Sequence, residues 1–213
     1  MTAARLVLWR HGQTDWNLTS RFQGQADIPL NPTGRAQARA AASVLAGLEP
    51  SALWASDLER TRDTAAALTA VTGLPAQLDP RLREIHVGSW QGLHGAELGE
   101  SDPEAYAALR RGEDVRRSST GETVSEVGER VAQALSDIAE TAADDATVVV
   151  TTHGLAGRAG ICRLLQLPFE HWRTFGSLDN CAWAVLQRHR GGGYWRVAEY
   201  DVLGPAIVRE TIS

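Results

Sequence analysis

The sequence predicts an α/β protein, a three-layer α/β/α sandwich with a mostly parallel central sheet. Three observations predict it. Short apolar runs alternate with longer stretches of helical period, the pattern of strand–helix–strand units. The run Thr147 to Thr152 (TVVVTT) is a strong strand signal late in the chain. The length, 213 residues, suits one α/β domain and is short for two. Residues 1–213 are therefore expected to form a single domain.

The elements follow in order. Arg5 to Trp9 (RLVLW) reads as a strand that stops at Arg10-His11-Gly12. Thr33 to Leu48 reads as an amphipathic helix with Thr33 as its N-cap. Leu53 to Ser56 is a second strand, Leu58 to Thr72 a helix closed by Gly73, and Ala76 to Leu78 a third strand. Residues from Gly88 to Gly121 are polar, dotted with glycine and poor in period, and read as a cap or lid insertion at about 88–121 with short helices; a plain surface excursion is the alternative. Glu122 to Thr141 reads as a long helix. The fourth strand ends at His153-Gly154, and another helix runs to Gln166. Asn180 to Gln187 and Tyr194 to Tyr200 are two further strands, joined at the turn Gly191-Gly192-Gly193. There are no repeats, charge blocks or low-complexity segments.

Composition narrows the chemistry. Hydrophobic residues make up 43% and charged residues 22%, an ordinary balance for a globular protein with a core. No apolar stretch is long enough to span a bilayer, and the amino-terminal run is too short for a signal peptide, so a cytoplasmic protein without a membrane partner is expected. The net charge of −5 argues against a nucleic-acid partner, which needs a dense basic face. All 21 basic residues are arginine. The lack of lysine excludes Schiff-base chemistry and a P-loop, and fits a GC-rich bacterial genome. Any bound anion must be held by arginine, histidine or backbone N–H groups, and the guanidinium fork matches phosphate. Cys162 and Cys181 lack Cys-x-x-Cys spacing and read as buried thiols.

In open parallel sheets, ligands bind beyond the carboxyl ends of the strands. Three strands end in reactive residues: Arg10-His11-Gly12, Ser56-Asp57 ahead of Arg60, and His153-Gly154. A metal site would need three or four ligands, and none of the six histidines has ligand spacing. Arg10 beside His11 would also repel a cation. No metal and no cofactor are therefore expected, and an anion site is. A phosphate monoester fits it. His11, neutral at one ring nitrogen, would attack phosphorus, with its other nitrogen donating to a backbone carbonyl. Arg10, Arg60 and a protonated His153 would surround the phosphoryl oxygens. A general acid must protonate the leaving oxygen. Glu84, in Leu82-Arg83-Glu84-Ile85-His86-Val87-Gly88-Ser89-Trp90-Gln91-Gly92, is the candidate if apolar burial keeps it protonated; a solvated surface carboxylate is the alternative.

A resemblance bears on that choice. Leu8-Trp9-Arg10-His11-Gly12-Gln13-Thr14-Asp15-Trp16-Asn17 resembles the signature of the histidine phosphatase superfamily, which includes the phosphoglycerate mutases. Ser56 to Ala65 is similar to that family's second motif, the Glu84 segment to its third, Gly121-Glu122-Thr123 to its fourth and Val150 to Gly154 to its last. The resemblance covers residues 5 to 155 in family order. It implies a phosphoglycerate mutase-like fold, His11 as nucleophile, Arg10, Arg60 and His153 as the phosphate pocket, and Glu84 as proton donor. Asn17 falls on a phosphate-contacting position, and Gln23 and Gly24 on a substrate-side loop. Gly154, where the secreted acid-phosphatase branch carries aspartate, separates the chain from that branch.

Other residues read as structural. His86 and His94 read as loop histidines, His171 and His189 as surface ones, and the tryptophans as packing, with Trp90 able to line a pocket. Ser56, just before a helix, reads as a cap or turn residue. Arg110, Arg111, Arg116 and Arg117 in the insertion could grip a carboxylate or second phosphate, or be solvated. The insertion is shorter than in the family's mutases, which favours a phosphomonoester hydrolase over the alternative, a cofactor-dependent phosphoglycerate mutase. A non-catalytic phosphoester-binding module is the second alternative, although all core positions are intact. The Arg83 to Leu93 segment, and Leu167-Pro168-Phe169-Glu170-His171-Trp172 with Gly176, Asn180 and Trp183 following, resemble actinobacterial glucosyl-3-phosphoglycerate phosphatases. The expected partner is thus a small acidic phosphorylated metabolite, with glucosyl-3-phosphoglycerate the candidate the resemblance implies; family members are often homodimers.

Overall fold

The structure, a computed structural model, describes residues 3–189, 191 and 193–204. The middle of the expected glycine turn, Gly192, lies outside the described residues, as do Met1 and Thr2. The strands are β1 (Arg5–Arg10), β2 (Ala52–Ala55), β3 (Ala76–Leu78), β4 (Thr147–Thr152), β5 (Trp183–Arg188) and β6 (Trp195–Val202). The helices are α1 (Asp15–Leu18), α2 (Pro32–Ala46), α3 (Glu59–Thr72), α4 (Gly95–Ser101), α5 (Pro103–Arg111), α6 (Val124–Thr141) and α7 (Gly154–Leu164). The six strands form one sheet in the order β3-β2-β4-β1-β5-β6. The first four neighbours pair in parallel; β5 and β6 close the sheet antiparallel. The fold is the α/β arrangement expected from the sequence.

Side-chain alternation splits the core in two. On β1, Leu6 and Leu8 pack into one cluster with Val127, Val131 and Leu135 of α6 and Ile161 of α7. Val7 and Trp9, pointing the other way, pack with Ala38, Ala41 and Leu45 of α2 and Ala65 and Leu68 of α3. Every residue of β4 is buried, because it is a central strand covered on both faces. Each fully buried aliphatic side chain contributes about 1.5–3 kcal/mol, so these two clusters hold the layers together.

Helix ends differ from expectation for local reasons. α2 begins at Pro32, with Asn31 rather than Thr33 as N-cap; Asn31 Oδ1 accepts the Gly34 N–H at 2.8 Å. Proline has no N–H to satisfy and its φ is already helical, so it opens the helix one residue earlier. α2 also stops at Ala46 and α7 at Leu164, two residues short of expectation in each case. Ser56 is not the cap of α3; that position is Leu58, which has no side-chain cap. The stretch from Gly88 to Gly121 contains α4, α5 and a 3₁₀ turn at Gly88–Trp90. α6 starts behind Thr123, whose hydroxyl accepts the Glu126 N–H while the Glu126 carboxylate accepts the Thr123 N–H. Among the described residues no helix is long and apolar enough to cross a membrane.

Candidate active site

The parallel pairing brings the carboxyl ends of β1, β2 and β4 together. Arg10 and Thr152 are register partners, as are Ala55 and Thr151, so His11, Ser56 and His153 emerge side by side. There they adjoin a pocket of about 200 Å³ lined by Arg10, His11, Asn17, Arg21, Phe22, Gln23, Gly24, Arg60, Glu84, Ile85, Val87 and Leu155.

His11 is 3% exposed. Its main chain is pinned, the N–H donating to Thr152 O and the carbonyl accepting from Cys181 N–H and Asn180 Nδ2. Nδ1 lies 2.7 Å from Gly12 O. A carbonyl only accepts, so Nδ1 carries the hydrogen and Nε2 keeps its lone pair. Burial, reinforced by the nearby charges of Arg60 and Arg10, pushes the imidazole well below its ordinary value; the hydrogen bond to Gly12 opposes this and loses.

Arg60 is fully buried, yet its guanidinium is held by backbone. Nη1 donates to Ala26 O at 2.6 Å, Nη2 to Gly24 O at 2.8 Å and Nε to His153 Nδ1 at 3.3 Å. Burial pushes it down to about 10, so it remains charged at neutral pH. Gly24 makes this possible with φ of +51°, a conformation that side chains resist. Arg10 donates to Leu178 O, and its Nε is buried without a partner among the described residues. A Cβ on Gly154 would meet that Nε at 3.2 Å, so glycine allows the helix to start against the guanidinium. Asn17 and Gln23 share a small network around the Thr14 hydroxyl, whose oxygen lies 3.0 Å from both side-chain oxygens and donates to one of them at a time.

Two expectations need correcting. His153 was expected as a cation, but burial, with Arg60 and His11 close by, pushes it well below the ordinary value. Arg60 Nε can only donate, so His153 Nδ1 accepts and Nε2–H donates to Ser56 Oγ at 3.0 Å. His153 is therefore the neutral Nε2–H tautomer, its ring 5.2 Å from that of His11 and edge-on to it. Glu84, secondly, is not held by apolar neighbours alone. Its Oε1 accepts from Ile85 and Ala156 N–H at 2.9 and 3.0 Å and its Oε2 from Leu155 N–H at 3.2 Å, at the amino end of α7. Those donors fix where the carboxyl group stands.

Ser56 was missed as a site residue because serine before a helix is so often a cap. It is fully buried and used by His153 instead. Arg21, also missed, lines the pocket and donates to Gly92 O at 2.6 Å. Of the insertion arginines, Arg110, Arg111 and Arg116 are exposed. Arg111 pairs with Glu113 at 2.5 Å and Arg116 with Glu126. Arg117 is buried, against the solvated alternative, with its guanidinium 5.9 Å from the Trp90 ring centroid. Among the described residues no group of three or more His, Cys, Asp or Glu could hold a metal ion.

The two buried imidazoles make a stability prediction. Both are neutral when folded and would titrate near 6.5 when unfolded, so unfolding takes up protons as pH falls below that value. Their contribution is level above pH 7 and becomes unfavourable below 6.5, with a slope of up to about 2.7 kcal/mol per pH unit for two protons. Urea unfolding at pH 7.0 and 5.5 should show the loss, and a His11→Asn/His153→Asn variant should lose most of the difference. An identical difference in that variant would mean other groups carry it.

Comparison with known proteins gives consistent results. The family model for the histidine phosphatase superfamily (branch 1) matches residues 6–201. The chain is 39% identical over 201 residues to glucosyl-3-phosphoglycerate phosphatase of Mycobacterium tuberculosis, covering 91% of this chain and 89% of that one. It is 40% identical over 184 residues to a metal-independent phosphoserine phosphatase of Arabidopsis thaliana, covering 85% and 75%. Among solved structures, a mycobacterial glucosyl-3-phosphoglycerate phosphatase in complex with VO3 superposes with a TM-score of 0.86 at 38% identity, covering 93% and 98%.

Proposed function

The chain belongs to branch 1 of the histidine phosphatase superfamily and is a phosphatase; from that premise we propose that it hydrolyses a small acidic phosphomonoester, with glucosyl-3-phosphoglycerate the foremost candidate, through a phosphohistidine on His11. The observation that carries the mechanism is the buried Nε2 lone pair of His11, fixed by the Nδ1–H bond to Gly12 and flanked by Arg10 and Arg60.

The phosphoryl group enters as a dianion. Arg10 and Arg60 neutralise it and hold its oxygens so that phosphorus faces Nε2, each such donor being worth about 3–4 kcal/mol of barrier. Because backbone carbonyls already orient Arg60, little reorganisation is needed. Nε2 forms the N–P bond as the ester P–O bond breaks, and Glu84 delivers a proton to the leaving alkoxide. In the second half, Glu84 accepts a proton from water, whose oxygen attacks phosphorus, and the N–P bond breaks to give orthophosphate. His153, neutral in the free enzyme, buttresses Arg60 by accepting its Nε–H at Nδ1.

Asn17, Gln23 and Gly24 form the substrate-side rim, and Arg21 is added to it. The substrate class rests on the relatives' activities and on a pocket rich in arginine without a second carboxylate. We also read residues 88–121 as a cap over this pocket, which Val87 lines at its border, and the enzyme as cytoplasmic. No metal enters this mechanism, and a relative at 40% identity is a metal-independent enzyme.

A ³¹P NMR time course in EDTA, with glucosyl-3-phosphoglycerate, 3-phosphoglycerate and a trace of bisphosphoglycerate together, tests this reading. Orthophosphate should grow chiefly at the expense of the glucosyl ester. Faster cleavage of another ester would displace it as substrate. Interconversion of 3- and 2-phosphoglycerate without orthophosphate would mean a mutase.

A further inference from the structure

The Gly121-Glu122-Thr123 segment has no part in the chemistry above, and neither Glu122 nor Arg130 lines the pocket. Yet these two residues are bound almost wholly to the chain that carries Glu84. Arg130 Nη1 donates to the carbonyls of Arg81 and Arg83, at 2.7 Å each, and Nη2 to the carbonyl of Glu84 itself at 3.0 Å. The guanidinium also pairs with Glu122, Nε to Oε1 at 2.8 Å and Nη2 to Oε2 at 2.9 Å. Glu122 in turn grips the other side: its Oε2 accepts the His86 N–H at 2.8 Å, and its own N–H donates to His86 O at 2.8 Å. The pair's side chains are only 20% and 23% exposed.

The main chain from residue 81 to residue 86 is thus held from one side by an ion pair rooted in and just before α6, alongside Gln25, whose Nε2 donates to Glu84 O at 3.0 Å, and Thr152, whose hydroxyl donates to Leu82 O at 2.9 Å. The Glu84 side chain leaves this segment in another direction, to the amino end of α7. A loop without regular secondary structure has few partners of its own, so its backbone position depends on such side-chain donors. Only the arginine fork can serve three carbonyls and a carboxylate together; lysine offers three donors from one point.

We propose that the Glu122–Arg130 pair is a positioning device for Glu84, setting where the proton donor stands relative to the leaving oxygen. This rests on Glu84 being that donor. Arg130 acts through Glu84, so its loss should be felt where proton donation limits the rate and hardly elsewhere. A displacement of the acid by about 1 Å costs up to about 100-fold.

The test compares Arg130→Met, Arg130→Lys and Glu122→Gln with Glu84→Gln, on p-nitrophenyl phosphate and on an alkyl ester such as 3-phosphoglycerate, alongside thermal melts. The expected result, read on phosphoenzyme formation as kcat/KM, is an alkyl-ester value lower by about 10- to 100-fold in Arg130→Met, with the value for p-nitrophenyl phosphate near wild type and a smaller loss in Arg130→Lys. Added to Glu84→Gln, Arg130→Met should then cost little more on the alkyl ester. Equal losses on both esters, or full additivity with Glu84→Gln, would overturn the proposal and leave the pair a brace of the fold. Should Arg130→Met fail to fold, the near-isosteric Glu122→Gln carries the same comparison, with the same leaving-group selectivity expected. A Glu84→Gln enzyme that lowers kcat/KM alike for both esters, without a burst, would instead overturn the proton-donor reading and the proposal with it; selectivity in Glu84→Gln but not in the Arg130 and Glu122 variants would overturn the proposal alone.

Discussion

His11→Ala is expected to abolish turnover, with a loss of at least about 10⁴-fold, because the N–P bond has no other donor in the pocket. The fold should survive, since the imidazole's bond to Gly12 is local and the surrounding main-chain bonds do not use the side chain. Rapid acid-free quenching of the wild-type enzyme should trap a phosphoimidazole that the variant cannot form. A phosphoenzyme persisting in His11→Ala would place the nucleophile elsewhere. The pH profile carries the same assignment. Burial and the flanking arginines lower the His11 pKa, so the nucleophilic neutral form persists below pH 6.5. The acid limb of kcat/KM should accordingly lie below the ordinary imidazole value. A limb at or above 6.5 would contradict the buried assignment.

Glu84→Gln should show the second large effect, and a selective one. Glutamine can accept the same backbone N–H groups through its carbonyl oxygen but cannot deliver a proton. Alkyl esters, whose alkoxide leaves poorly, should slow by about 10²–10⁴-fold. p-Nitrophenyl phosphate, whose phenolate leaves unaided, should slow far less in the first half-reaction. Burst kinetics would then show phosphoenzyme accumulating, because the second half-reaction still lacks its base. Equal slowing of both esters, without a burst, would remove Glu84 from proton transfer.

Much of the fold was legible locally. β4 could be read from its apolar β-branched run, and α3 ends at the expected Gly73, which adopts φ of +76°. The reactive residues were legible because they stand at strand ends, and a parallel sheet gathers strand ends on one edge whatever else it does. Boundaries were less legible where two local signals competed, as at Asn31-Pro32-Thr33, where either Asn or Thr could cap.

The protonation of His11 was legible, but that of His153 was not, for a physical reason. A pKa depends on desolvation and on charges a few ångströms away, and those come from distant parts of the chain. His153 looked like a cation because a phosphate site wants positive charge; packing against Arg60 makes it neutral and assigns its proton to the Ser56 side. Glu84 sat among apolar neighbours in sequence, yet Leu155 and Ala156, some seventy residues on, supply two of the N–H groups that hold it. Arg130 belonged to no motif, and its contact with the Glu84 segment exists only once α6 lies beside it. By itself the sequence determined which residue types stand at the strand ends, and so the class of anion and of chemistry. Only the tertiary structure decided the protonation and tautomer of His153 and the support of Glu84, because those follow from through-space contacts that no spacing along the chain encodes.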